Sequence, residues 1–367
     1  MYPALAVAGR FADAPDDVLF VGTPDGLESR LVPDAGVAFR PLSAAGFDRA
    51  RPWTLVTSSV RLAASTVTAW RWMGAERPDV VVGFGGYVSI PVGLAASLRR
   101  VPLVLHEQNS VPGLANRVLS RWAREVGVTY EESAALLAHP ERVTLTGNPV
   151  RPVVLRSERQ AGRRALSIEP HAKLLLVFGG SRGARHLNSA LLRLRDRLLA
   201  VPDLVVVHVT GAAQVERVRA ELADAGGDAG GRWRIVGYLD DMGSALAACD
   251  LTVARAGATS IAEITALGVP AVLVPYPFAT DDHQTRNAAA MVAHGAAELV
   301  ADAEVDEERF GDVVVGLLND DVRRASMAAA SRALGRRDAA GQVAALARRA
   351  ASGSSSPGND SPEDMSA

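Results

Sequence analysis

The sequence has almost no cysteine, only one lysine and no long apolar run, although 48% of its 367 residues are hydrophobic. A lone Cys249 excludes an intramolecular disulfide and fits a reducing cytosol, and we predict a small buried apolar side chain rather than a nucleophile. No stretch approaches the roughly 18 apolar residues that a membrane-spanning helix needs. A net charge of −2 gives no indication of a nucleic-acid partner.

The order of apolar runs predicts the fold class. Brief Val/Leu runs alternate with amphipathic stretches, which is typical of an α/β protein whose parallel sheets are covered on both faces. Two prolines and a glycine at 147–152, followed by polar residues 156–164, mark a domain boundary. We therefore predict domains at residues 1–147 and 148–351 and a disordered tail at 352–367. Residues 36–52 are predicted to form a loop.

The segment 253–275 organises the second domain. It is predicted to form a strand, a small-residue turn, a helix and a second strand, with Gly268 ending the helix. Backbone N–H groups at the start of such a helix, together with its dipole, bind phosphate. Glu263 has two interpretations. It is either the carboxylate of a capping box with Ser260 or an acceptor for the two ribose hydroxyls of a nucleotide.

A second glycine-rich turn follows the predicted strand 173–178. In the sequence 179–184, GGSRGA, the glycines allow main-chain N–H groups to point at an anion, and Ser181 adds a hydroxyl donor. Two such turns in one domain indicate a diphosphate site more specifically than either alone. Arg151 at the domain boundary is either a cation for those phosphates or a solvated linker residue.

Polar residues also follow other predicted strands. His106 begins a run of four polar residues, His-Glu-Gln-Asn, where an apolar strand ends, and a cleft role and a structural role are both open. Asp281, Asp282 and His283 are neighbours on one loop, so they supply too few ligands for a metal site, and hydrogen bonding to sugar hydroxyls suits His283 and Gln284 better. The pair Asp240 and Asp241 is predicted to cap the helix at 242–248.

These motifs, taken together and in order, resemble the MurG family of UDP-N-acetylglucosamine (UDP-GlcNAc) transferases. The resemblance extends from residue 1 to about residue 350. It is carried by seven segments: 83–87 (GFGGY), 106–109 (HEQN), 147–151 (GNPVR), 179–185 (GGSRGAR), 238–242 (YLDDM), 255–263 (RAGATSIAE) and 282–288 (DHQTRNA).

The resemblance implies a GT-B fold, with two Rossmann-like domains around a cleft. It further implies inverting transfer of GlcNAc from UDP-GlcNAc to the 4-hydroxyl of the N-acetylmuramic acid (MurNAc) unit of lipid I, giving lipid II, without a metal or cofactor. The remaining implications concern individual positions of the donor site. They assign the pyrophosphate to Ser181, Ala258, Thr259 and Ser260, with Arg151 nearby, the ribose to Glu263, uracil to the backbone of Leu239, and GlcNAc to His283 and Gln284.

On the acceptor side, the resemblance implies that Gly85, Gly86, His106 and Asn109 face lipid I. MurG proteins open with a strand and a GGTGGH-like loop, whose histidine is a candidate base, ahead of the helix that begins here at Tyr2. This sequence has neither, so His106 is the remaining base candidate. A start codon placed too far downstream and a genuine truncation both account for the difference. We favour the first because a missing central strand would leave a costly exposed edge.

The resemblance also implies a peripheral protein on the cytoplasmic face of the cell membrane. A candidate attachment surface comprises Arg49, Arg51, Trp53, Val56, Val60, Arg61 and Leu62. A helix packed on its own sheet is the alternative for that segment. Two other functions stay open: a UDP-GlcNAc 2-epimerase of the same fold, and a non-catalytic UDP-sugar-binding protein.

Overall fold

The computed structural model describes residues 1–11, 18–43, 54–180 and 184–353, and it describes no side chains for 54–58. The strands in these ranges are β1 Leu19–Gly22, β2 Ala38–Pro41, β3 Val81–Gly83, β4 Leu103–Glu107, β5 Glu125–Val128, β6 Val143–Leu145, β7 Lys173–Phe178, β8 Leu204–Val209, β9 Trp233–Val236, β10 Leu251–Ala254, β11 Ala271–Leu273 and β12 Ala297–Leu299. The helices are α1 Tyr2–Ala8, α2 Glu28–Asp34, α3 Thr54–Glu76, α4 Ser89–Arg99, α5 Leu114–Leu119, α6 Pro152–Leu155, α7 Arg159–Ala165, α8 Arg185–Arg193, α9 Arg195–Leu199, α10 Val215–Asp224, α11 Met242–Ala248, α12 Ala258–Leu267, α13 His283–Ala293, α14 Glu308–Asn319, α15 Asp321–Leu334 and α16 Ala339–Ser352.

The larger sheet has six strands in the order β12-β11-β10-β7-β8-β9, and all its pairs are parallel. Strand β7 is buried on both faces: Leu175 and Val177 enter one core cluster, and Leu174 and Leu176 enter the other. This alternation follows from the two-residue period of a strand, and burial on both faces explains the unbroken apolar sequence.

The direction in which successive strands are added to this sheet reverses between β7 and β10. From β7 it adds β8 and β9 on one side, and from β10 it adds β11 and β12 on the other. Phe178 and Ala254, the last residues of β7 and β10, are register partners. The two turns predicted to bind phosphate therefore leave adjacent strands at the switch point, where open α/β sheets bind their ligands.

The first half of the chain contains a four-stranded parallel sheet, β3-β4-β5-β6, and a two-stranded parallel sheet, β1-β2. Strand β2 lies within residues 36–52, where we predicted only loop, so that prediction is wrong for its residues. Strand β4 extends to Glu107, so His106 and Glu107 are buried strand residues rather than the first residues of a loop. The helical segment after β7 is divided into α8 and α9 at Leu194.

The last helix connects the two halves of the molecule. Although the sequence assigned residues 339–351 to the second domain, α16 packs on the first: Leu346 and Ala350 cluster with Val104 of β4, and Val343 clusters with Val7 of α1. The division after residue 147 stays a prediction. Of the predicted disordered tail, only Ser352 and Gly353 lie within the described residues.

Candidate functional site

Helix α12 begins beside the switch point with uncapped backbone donors. Gly257 is its N-cap residue, and within the described part of the chain no side chain accepts a hydrogen bond from the first turn, which contains Ala258, Thr259 and Ser260. The capping box of Ser260 with Glu263 is therefore wrong, because Ser260 already lies inside the helix. The predicted end is confirmed, since Gly268 adopts the left-handed conformation with φ of 69°. The N–H groups of the first turn remain available to an anion.

Glu263 lies one turn further along α12 and is 6% exposed. Its Oε1 accepts a hydrogen bond from Nη2 of Arg151 at 3.1 Å, so Arg151 is not a solvated linker residue, and its place near the phosphates stays a prediction. The Arg151 guanidinium also stacks over the ring of Tyr2, 4.5 Å from its centroid. Burial raises the pKa of Glu263, and the charge of Arg151 opposes that rise.

The loop after β9 borders the same region. Leu239 is half-buried and packs against the core cluster that contains Leu174 and Leu176 of β7. Its neighbours Tyr238 and Asp240 are exposed. Burial, together with the neighbouring Tyr238 side chain, raises the pKa of Tyr2 in the first half of the chain. Asp241 accepts a hydrogen bond from the backbone N–H of Ser244 at 2.9 Å, which confirms it as the cap of α11.

A cavity of about 240 Å³ lies between Arg151 and the start of α11, and Asp240 and Asp241 line it. Arg151 contacts Glu263 on one side and borders this cavity on the other. The positions predicted for ribose and for uracil are therefore neighbours in the fold.

His106 is completely buried in β4, and both its ring nitrogens are engaged. Nε2 is 2.9 Å from the carbonyl oxygen of Gly147, and Nδ1 is 3.2 Å from Nε2 of Gln108. Burial lowers the pKa of His106 from 6.5 to about 4. No free nitrogen faces an acceptor hydroxyl, so the geometry argues against His106 as the general base. It fits a neutral residue that holds Gly147 and Gln108 in position.

Neither Glu107 nor Asn116 was predicted to have a role of its own, yet their hydrogen bonds connect the end of β4 to α5. The Glu107 carboxylate accepts hydrogen bonds from the backbone N–H groups of Asn109 and Gly113 at 2.9 and 3.1 Å and from Asn116 Nδ2 at 2.8 Å. The Oδ1 of Asn116 is buried without a hydrogen-bond partner in the described structure. An asparagine on the buried face of α5 was the available signal, because a buried amide needs partners.

The predicted acceptor glycines lie next to Asn116. Gly85 and Gly86 both adopt positive φ, 77° and 79°, which explains why this turn uses glycine. A side-chain carbon at Gly85 would lie 3.6 Å from Asn116 Nδ2, so the glycine turn directly borders the buried amide. Gln108 Nε2 also donates to the carbonyl oxygen of Phe84 at 3.2 Å. The GFGGY turn and the HEQN segment therefore form one connected surface.

Asn287 joins this surface to the second half of the molecule. Its Oδ1 accepts a hydrogen bond from the backbone N–H of Ser110 at 3.0 Å, and its Nδ2 contacts the Asn109 side chain at 3.4 Å. The same Nδ2 donates to the carbonyl oxygen of Ala256 at 3.3 Å, just before the start of α12. Asn287 is completely buried, so this bridge is fixed. Asn287 therefore connects the predicted acceptor-side residue Asn109 to the backbone that leads into α12.

His283 and Gln284 begin α13 after a strained turn. Asp281 and Asp282 both have φ near 50° (52° and 51°), a conformation that is costly for residues other than glycine and that concentrates at functional sites. Gln284 Oε1 accepts a hydrogen bond from the backbone N–H of Tyr276 at 2.9 Å, and His283 Nδ1 lies 2.7 Å from the carbonyl oxygen of Thr280. These contacts fix the two side chains beyond the carboxyl ends of the strands, on the side of the sheet where α12 begins.

Ser181 lies outside the described residues. Within the described part of the chain, no cluster of three or more His, Cys, Asp or Glu side chains is arranged to hold a metal ion. None of the described helices is long and apolar enough to cross a membrane. Cys249 is 4% exposed, which confirms the prediction of a buried apolar side chain.

Comparison with known proteins agrees with this arrangement. Residues 1–128 match the glycosyltransferase family 28 N-terminal domain, and residues 174–343 match the C-terminal domain of that family. A relative from Desulforudis audaxviator, named UDP-N-acetylglucosamine–N-acetylmuramyl-(pentapeptide) pyrophosphoryl-undecaprenol N-acetylglucosamine transferase, is 43% identical over 342 residues. That alignment covers 92% of this chain and 91% of the relative.

Solved structures are similar over most of the chain. MurG from Acinetobacter baumannii is 31% identical with a TM-score of 0.75, and the match covers 95% of each chain. A protein described as a UDP-N-acetylglucosamine 2-epimerase from Listeria monocytogenes has a TM-score of 0.70 but only 17% identity, so it shares the fold alone. These matches confirm the predicted α/β GT-B architecture, and the chain belongs to the MurG family of glycosyltransferases.

Proposed function

We propose that this protein transfers GlcNAc from UDP-GlcNAc to the 4-hydroxyl of the MurNAc unit of lipid I, giving lipid II, with inversion at C1. The family assignment supports the reaction. The observation that carries the site is the Asn287 bridge, which joins the acceptor-side residue Asn109 to Ala256 at the donor turn. Such a junction brings the acceptor hydroxyl and the donor sugar into one cleft, which transfer requires.

In this proposal the donor lies along the carboxyl ends of β7 and β10. The first turn of α12 binds the pyrophosphate through its N–H groups, and one oxygen of Glu263 binds the ribose hydroxyls. Arg151 holds the other oxygen and keeps the buried carboxylate charged, which the desolvation of Glu263 would otherwise disfavour. The backbone at Leu239 contacts uracil, and His283 and Gln284 contact GlcNAc.

Transfer breaks the bond between C1 and the β-phosphate oxygen while the acceptor oxygen attacks C1 from the opposite face. Negative charge then develops on the departing UDP, next to the uncapped N–H groups of α12 and the positive end of its dipole. Fixed donors of this kind stabilise a transition state without reorganising during the reaction. The acceptor proton leaves to a base, and the buried His106 holds the acceptor surface in position rather than taking that proton.

The function is tested by incubating the protein with labelled UDP-GlcNAc, with and without a lipid I analogue. We expect labelled disaccharide lipid and UDP only when the acceptor is present. An epimerase would instead convert UDP-GlcNAc to its 2-epimer without any acceptor, and a non-catalytic binder would leave the UDP-sugar unchanged.

We further propose peripheral attachment to the cytoplasmic face of the membrane through α3. Of the predicted attachment surface, Arg49, Arg51 and Trp53 and the side chain of Val56 lie outside the described residues. Val60 is 65% exposed and Leu62 36%, whereas Ala69 and Met73 on the same helix are buried against α4. Val60 lies on the face of α3 opposite Ala69 and Met73, together with Val67, which is 49% exposed, whereas Leu62 lies at the exposed end of the packed face. The exposed apolar side chains near the start of α3 support interfacial binding.

Replacing both Val60 and Leu62 by aspartate is expected to weaken binding to vesicles of anionic phospholipid about tenfold or more, since each apolar side chain loses its burial in lipid. Vesicle flotation measures the bound fraction. Val322→Asp is the matched control, because Val322 is 83% exposed on α15, away from this helix. Equal binding by the double variant and the control would contradict attachment through α3.

A further inference from the structure

Asp302 follows β12, and its carboxylate is largely buried. It belongs to none of the motifs described above. Its Oδ1 forms an ion pair with Nη1 of Arg255 at 2.5 Å, and its Oδ2 lies 2.8 Å from Nδ1 of His186. The Asp302 side chain is 13% exposed and that of Arg255 is 9% exposed. One carboxylate therefore connects two residues that belong to different strand-to-helix turns.

Arg255 is the first residue after β10 and leads directly into the turn at Gly257. Its Nη1 also donates to the carbonyl oxygens of Val274 and Pro275, at 3.1 and 2.9 Å, just beyond β11. The guanidinium thus ties together the carboxyl ends of β10, β11 and β12. Because it is buried, its charge requires a carboxylate partner, and Asp302 supplies that partner.

His186 provides the second connection. It lies in the first turn of α8, the helix that follows the glycine-rich turn after β7. Hydrogen bonding to Asp302, and then to Asp306, raises the pKa of His186, which favours its positive form and strengthens both contacts. Through His186 the carboxylate of Asp302 also holds the start of α8.

We propose that Asp302 is a positioning residue for the donor diphosphate. It contacts no part of the donor in this proposal, but it fixes the turn into α12 through Arg255 and the first turn of α8 through His186. The inference rests on the proposed function, because the ligand whose phosphates it serves is the UDP of the donor. Loss of the carboxylate leaves the buried Arg255 charge unpaired and lets both turns move.

Asp306 provides a matched control. Its Oδ1 lies 3.1 Å from Nε2 of His186 and also pairs with Arg193, but no contact joins it to Arg255 among the described residues. The variants Asp302→Asn and Asp306→Asn therefore both remove a carboxylate from His186, and only the first removes the partner of Arg255.

The test is calorimetric binding of UDP and of uridine to the full chain and to both variants, with thermal melting to monitor folding. For Asp302→Asn we expect UDP to bind about tenfold more weakly and uridine to change less than about twofold, because only UDP carries the phosphates. For Asp306→Asn we expect less than about a twofold change for both ligands. If Asp302→Asn does not fold, it is replaced by Asp302→Glu, which keeps the charge on a side chain one methylene longer. We again expect UDP binding to weaken more than uridine binding.

Equal weakening of UDP and uridine by the Asp302 variant, or no weakening of either, would overturn the positioning role. So would an equal loss of UDP affinity in the Asp306 variant. If the wild-type protein binds uridine and UDP with the same affinity or binds neither, the proposed donor site itself fails, and the inference fails with it.

Discussion

Replacing Glu263 by glutamine is expected to lower kcat/KM for UDP-GlcNAc about a hundredfold, because two hydrogen bonds from the ribose hydroxyls lose their charged acceptor. The change keeps the size of the side chain, so packing along α12 is preserved. It also leaves the Arg151 guanidinium without its carboxylate partner. Steady-state kinetics with a fixed concentration of lipid I analogue measures the effect.

A ribose analogue isolates the interaction in the same assay. The wild-type protein is expected to use the 2′-deoxyribose form of UDP-GlcNAc much less well than UDP-GlcNAc. In Glu263→Gln that difference between the two donors should nearly disappear, because the missing hydroxyl no longer has a carboxylate to bind. Equal discrimination by the wild type and the variant would show that Glu263 does not contact the ribose.

Lowering the pH from 7 to 5 is expected to reduce the free energy of unfolding by about 4 kcal/mol through two buried histidines, about 2 kcal/mol each. Burial lowers the pKa from 6.5 to about 4 for His106 and to about 3 for His208. The unfolded chain therefore binds protons below pH 6.5 that the folded protein rejects, and stability falls as the pH drops through that window.

Two other groups act in the opposite direction. His186 has a raised pKa, so its contribution to stability is present at low pH and is lost as the pH rises. The raised pKa of Glu263 means that its protonation on acidification relieves a cost of burial. Both groups make the loss of unfolding free energy on acidification smaller, but they do not reverse it. His186 is partly exposed, and Arg151 partly compensates the burial of Glu263.

Urea unfolding at pH 7, 6 and 5 measures this dependence, and His106→Gln with His208→Gln provides the comparison. The double variant is less stable at pH 7, because each ring fills a buried site, but its stability is expected to change much less with pH. Parallel loss of stability in the wild type and the double variant would exclude the buried histidines as the cause.

Local sequence patterns predicted the strand ends and turns of the donor domain well. The apolar run of β7 and the helix α11 appear at the predicted bounds, because burial on both faces of a parallel sheet leaves an unbroken apolar sequence and because Asp241 is an effective cap. The left-handed Gly268 likewise ends α12 as predicted.

The patterns failed where distant contacts decide the outcome. Glu263 has the spacing of a capping box, yet its carboxylate pairs with Arg151, which is 112 residues away in the chain. Nothing local to Arg151 indicates that partner. Similarly, α16 is an amphipathic helix that suits either sheet, and only its contacts with Val104 and Val7 reveal that it returns to the first.

The acceptor side was less predictable still. For His106, at the end of its predicted strand, a cleft role and a structural role were both open, and the structure buries it against Gly147, which lies 41 residues later. Asn116 and Asn287 are single amides within ordinary helical sequence, and their importance follows from the partners they reach across the fold.

The transfer of labelled GlcNAc from UDP-GlcNAc to a lipid I analogue, measured side by side for the wild type and Glu263→Gln, tests the assigned donor site and the proposed reaction most directly. We predict labelled disaccharide lipid and stoichiometric UDP with the wild type, and about a hundredfold slower formation with the variant. Equal rates for the two proteins would contradict the assigned donor site. A wild-type protein that binds UDP-GlcNAc and releases no UDP in the presence of the acceptor would contradict the proposed transferase activity.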